Sequence, residues 1–96
     1  MKVSNKVSLP GQREFEQHTA YFELDESDVN EKVWEGCTLL DKMLLMNTLV
    51  VYQGLLYQYA IGFITKETKQ KETKAIFGVL SKELRSKVKE ALSGLK

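Results

Sequence analysis

The sequence predicts an α+β domain: an N-terminal β-hairpin, a long apolar helix, and a basic amphipathic helix folding back on it, with copies packing through their helices. Three observations predict it. Pro10-Gly11 is a turn signal between two extended runs, residues 43–64 carry no charge, and an apolar stripe at helical spacing lies near the C-terminus. With 96 residues, one domain is expected, divided into a hairpin over 1–25, a long helix over 28–64 and an amphipathic helix over 74–95.

In the hairpin, Val3, Val7 and Leu9 fall on one face of an extended run, with Asn5 between them. Proline presets φ and glycine accepts positive φ, so Pro10-Gly11 turns the chain into a return run from Arg13 to Leu24. Phe15 and Tyr21 share one face of that run, and Ala20, Phe22 and Leu24 the other. The imperfect alternation leaves two readings: a strand buried on both faces late in its course, or a bulge near His18.

Asp25-Glu26-Ser27-Asp28 reads as an acidic helix start, with Asp28 and Glu31 forming a capping-box-like pair and Ser27 a rival cap. Val29, Val33, Cys37, Leu40 and Leu44 continue at helical spacing. Over the charge-free stretch two readings compete. One helix from Val29 to about Ile64 would be roughly 50 Å long. Alternatively, Thr48–Gln53 and Leu55–Ile64 are strands around Gly54. The helix is preferred because the run lacks proline and any Asn-Gly or Asp-Gly turn.

On that helix Asn47, Gly54, Gln58 and Gly62, with Gly36 upstream, lie near one stripe. Small residues let helices approach and side-chain amides bond across a contact, which makes this the candidate oligomer interface. The plainer reading is glycines that are tolerated or mark kinks. The stretch is long enough to span a bilayer. Asn47, Gln53 and Gln58 interrupt it and its tyrosines sit mid-span, so a membrane is not the expected partner. Thr65–Thr73 is a polar connector, loop or solvated helix. Ile76, Leu80, Leu84, Val88, Ala91, Leu92 and Leu95 then line one face of a helix, with Lys74, Lys82, Arg85 and Lys89 away from it.

The net charge of +1 hides an asymmetry. Residues 1–42 hold five basic and nine acidic side chains, and residues 66–96 nine basic and four acidic. Such ends attract, within a subunit or between subunits. A lone cysteine, Cys37, excludes an internal disulfide and fits a reducing, cytoplasmic setting. The first residues contain no apolar run of secretory type.

Catalysis needs convergent polar groups. His18 is the one histidine and nothing in the sequence joins it to Cys37, so the expectation is a protein that is not an enzyme. No metal-ligand spacing and no phosphate loop is present, so no cofactor is expected. A single-stranded nucleic acid is the alternative partner. Arg13, Phe15 and His18 on the hairpin and Lys82, Arg85 and Lys89 on the last helix supply rings and cations. Glu14, Glu16 and Glu23 in the same strand oppose phosphate. Trp34 seals helix to hairpin or anchors a partner, and Tyr52, Tyr57 and Tyr59 are further candidate partner contacts.

Residues 2–30 (KVSNKVSLPGQREFEQHTAYFELDESDVN) carry a short strand, a tight turn, a charged-aromatic return strand and an acidic lead into a helix. This run resembles the opening of small, mostly uncharacterised proteins encoded by phages and archaeal viruses. The resemblance covers about a third of the chain and contains no catalytic signature. It implies a protein that acts by binding: to a host, defence or viral protein, to nucleic acid, or to a small signalling molecule.

Overall fold

Alternating apolar and polar residues in two short runs give a two-stranded antiparallel hairpin, β1 (Lys2–Pro10) and β2 (Gln17–Asp25). The structure, a computed structural model, describes residues 2–10 and 17–93. Pairing runs without interruption from Lys2 opposite Asp25 to Pro10 opposite Gln17. The unbroken register overturns the bulge near His18. Tyr21, 67% exposed, overturns a strand buried on both faces. Val3, Asn5 and Val7 with Ala20, Phe22 and Leu24 turn inward, while Lys2, Ser4, Lys6, Thr19, Tyr21 and Glu23 face out. Gly11, Arg13 and Phe15 lie outside the described residues.

The long helix begins later than residue 28. The acidic segment forms two 3₁₀ turns, Glu26–Asp28 and Glu31–Trp34, separated by Val29 in extended conformation. The capping box is Asp25 with Asp28, and Asn30 caps the second turn. Gly36 then takes φ +75°, a backbone state that favours glycine and ends helical continuity. The α-helix proper, α1, is Leu39–Ala60. Its own box is reciprocal: the Asp41 N–H donates to Thr38 Oγ1 and the Thr38 N–H to Asp41 Oδ2, each at 3.1 Å. Helix, not hairpin, therefore occupies the charge-free stretch as far as Ala60.

The end of α1 is a Schellman motif. Gly62 at φ +78° lets its N–H reach the carbonyl of Tyr59 (3.0 Å) and the Phe63 N–H that of Gln58 (2.9 Å). Gly62 thus stops the helix instead of lying on a packing stripe.

The polar connector is itself helical. α2 (Lys66–Gly78) starts at the Thr65 cap and α3 (Lys82–Ser93) follows. The single helix expected over 74–95 is broken because Leu80 turns into the core while Val79 stays 80% exposed. Ser81 Oγ then accepts from the Leu84 N–H at 3.2 Å and restarts the chain as a cap.

The core gathers Leu24, Val29, Val33, Leu45, Met46, Leu49, Val50, Leu80, Val88 and Ala91 around α1. Leu45, Met46 and Leu49 are fully buried, each contributing roughly 1.5–3 kcal/mol of apolar burial. The hairpin packs on one side of α1, and α2 and α3 on another.

Candidate functional site: the open face of the central helix

α1 has apolar residues all the way round, so each covering element meets a greasy surface. The hairpin covers the side containing Gly54. A Cβ there would stand 2.7 Å from Val7 Cγ1 and 2.8 Å from Asn5 Nδ2, so only glycine admits the strand this close. Phe22 meets the Tyr57 ring edge-on at 5.5 Å. On the other side Tyr52 meets Phe77 of α2 edge-on at 5.9 Å, and Val88 and Ala91 of α3 join the core.

One line of α1 is uncovered at its start. Leu40, Leu44, Asn47, Val51, Leu55 and Gln58 follow each other at spacings of three and four; Leu40, Leu44 and Asn47 are exposed, while Val51 packs against the core and Leu55 and Gln58 are half-buried. Leu40 is 64% exposed, and Leu39, Met43 and Leu44 widen the patch at the helix start. Contiguous apolar patches of a few hundred Å² on a small protein mark interaction sites. By length and composition alone α1 is also long and apolar enough to cross a membrane.

The candidate interface residues separate. Asn47 is exposed on the open part of the line, Gln58 is half-buried farther along it, Gly54 is occupied by the hairpin, and Gly62 caps the helix. The candidate partner aromatics separate too. Trp34 is half-buried against the core, and its Nε1–H donates to the Glu26 carbonyl at 3.3 Å. Tyr52 and Tyr57 pack on α2 and the hairpin, and Tyr59 lies 4.7 Å beneath the Lys69 ammonium.

Of the residues considered for nucleic acid, Arg13, Phe15 and the side chain of His18 lie outside those described. Lys82, Arg85 and Lys89 share an exposed face of α3. Arg85 Nε also donates to the Leu80 carbonyl at 3.2 Å. Lys87 was missed in the sequence. Its Nζ donates to the carbonyls of Val33 (2.9 Å) and Glu35 (2.8 Å) and ties α3 to the second 3₁₀ turn. Nothing in local spacing signals a lysine bound to carbonyls more than fifty residues away. Cys37 is half-buried, with its Sγ 3.6 Å from the Val33 carbonyl. Among the described residues no three His, Cys, Asp or Glu side chains gather as a metal site would require.

Compared with protein-family models, curated proteins and solved structures, the chain matches none of them. The functional reading therefore rests on the molecule's own surface.

Proposed function

We propose that this chain is a non-enzymatic binding protein that works as a homo-oligomer, with the open line of α1 packed against the same line of a second copy. The observation that carries this reading is the exposed start of that line, Leu40, Leu44 and Asn47, widened by Leu39 and Met43. Three- and four-residue spacing is the repeat by which helices pack side by side. A single amide, Asn47, in the otherwise apolar first part of that line suits a two-fold contact, where it meets its own counterpart.

A lipid surface is the competing cover. Inserted in a bilayer, α1 would draw in the hairpin packed on it, with the outward Lys2–Glu23 ion pair (3.1 Å) and the backbone edges of a two-stranded sheet. A second copy covers the line without that cost. The surfaces left outside such an assembly include the cationic face of α3, and these are where a host, defence or viral protein would be engaged.

The test compares substitutions on and off the line by light scattering. Leu40→Glu and Leu44→Glu should each weaken self-association about a hundredfold, equivalent to ~2.7 kcal/mol, with unchanged helical circular dichroism. Lys82→Glu should leave the mass as it was. Oligomers that survive both leucine substitutions would refute the interface. Particles that form only with detergent or vesicles would assign the line to lipid.

A further inference from the structure

A second feature lies on another side of α1. A cleft of about 400 Å³ opens between α1 and α2, lined by Tyr52, Lys69, Gln70, Thr73 and Lys74. That volume falls within the ~300–1,000 Å³ of small-molecule sites, and because the cleft is largely open to solvent a ligand lies along it partly exposed. Among the described residues its lining holds two lysines and no acidic residue, since Glu67 and Glu72 of the same helix stay out of it. Among the described residues neither lysine has a carboxylate within ion-pair distance.

Two contacts shape the walls. Phe77 meets Tyr52 edge-on at 5.9 Å and 73°, which braces the tyrosine ring. The Lys69 ammonium lies 4.7 Å from the centroid of Tyr59, a ring outside the lining, so an anion in the cleft competes with this cation–π contact for the charge. The Thr73 hydroxyl donates to the Lys69 carbonyl at 2.7 Å, leaving its oxygen as an acceptor, and Gln70 supplies an amide.

We propose that this cleft is a binding site for a phosphate monoester carrying an aromatic ring, of mononucleotide size. The phosphate lies between Lys69 and Lys74, whose long stems let both ammonium groups reach one anion. The ring packs on Tyr52, and Gln70 and Thr73 offer hydrogen bonds to its polar edge. The site does not depend on self-association, since it lies between α1 and α2 of a single subunit.

The experiment is an amide-resolved NMR titration of the full chain with adenosine 5′-monophosphate, ribose 5-phosphate, adenosine and a short oligoadenylate. The monophosphate should shift the amides of Tyr52 and of residues 69–74, and bind at least about tenfold more tightly than ribose 5-phosphate or adenosine. Lys69→Gln and Lys74→Gln should each weaken it about tenfold, the scale of one charge-assisted contact, while the other resonances stay in place. Lys71→Gln, outside the lining, should not. No shift at these amides at millimolar ligand would overturn the proposal, as would equal affinity for ribose 5-phosphate. An oligoadenylate bound more than tenfold tighter than the monophosphate would assign the cleft to a nucleic-acid strand, overturning it equally.

Discussion

Helices α1 and α3 solve the same problem differently. α3 divides cleanly: Val88 and Ala91 are buried, while Lys82, Arg85 and Lys89 face outward. Leu84 and Leu92 of α3 are half-buried against the same core, so no apolar residue of α3 stands exposed. α1 has no such division. Leu45 and Leu49 are fully buried on it, yet Leu40 on the same helix is 64% exposed. A hairpin on one side and two helices on the other do not encircle a helix that is apolar all round. The difference teaches that an amphipathic helix can be matched to one subunit's core, whereas a uniformly apolar one leaves residues such as Leu40 outside it.

The comparison can be broken most strongly within α1. Leu49→Ala should cost about 3–4 kcal/mol in urea denaturation, independent of protein concentration, because it empties a fully buried site. Leu40→Ala should change the stability of the isolated subunit by less than about 0.5 kcal/mol, its effect appearing only in assembly. Equal losses at both positions would abolish the distinction between covered and open faces.

Gly54→Leu is next. The hairpin stands where the new side chain must go, so overpacking should destabilise the fold by about 2–3 kcal/mol. Gly78→Ala meets nothing within 4 Å and should stabilise by about 0.5 kcal/mol through helix propensity. A tolerated Gly54→Leu would mean that the hairpin does not lie on α1 as described.

On α3 the sharpening substitution is Lys87→Met, which keeps the stem and removes the two hydrogen bonds to the Val33 and Glu35 carbonyls. It should cost about 1–2 kcal/mol, because the Glu35 carbonyl is left to water while that of buried Val33 loses a charged donor. Lys89→Met, with no such bonds, should leave thermal stability unchanged.

The smallest effect is at the capping box of the first 3₁₀ turn. The Ser27 hydroxyl, and then the Ser27 N–H, hold the Asp25 carboxyl below its ordinary value of 3.8. A lowered folded pKa stabilises the fold above the unfolded value, and that gain is lost as pH falls through the folded one. Thermal scans of Asp25→Asn should therefore show a slightly shallower loss of stability below about pH 4 than the parent.

The sequence made the classes of element legible and hid several of their boundaries. The hairpin and the helical character of residues 43–60 followed from alternation, from Leu and Met, and from missing turn signals. The start of α1 was misplaced because Asp25, Ser27 and Asp28 are good caps for any short turn, and here they cap a 3₁₀ one. Gly36 followed by Thr38 and Asp41 was the better signal, since a glycine able to take positive φ and a reciprocal box stand side by side. The break in the C-terminal helix was hidden because Leu80 fits the helical apolar spacing even though it enters the core from a turn. Asn47 reached the exposed part of the line, and Gln58 its half-buried end, as their spacing required. Gly54 did not, because the question of which neighbour exploits a missing side chain is decided by the hairpin, which is distant in sequence.

The account stands on α1 having more apolar surface than its own subunit covers. Sedimentation equilibrium of the unaltered chain across the micromolar range, without detergent, tests this most directly. The expected result is a mass of two chains or a higher whole multiple, falling toward one chain only on dilution. A mass of one chain at every concentration would contradict it.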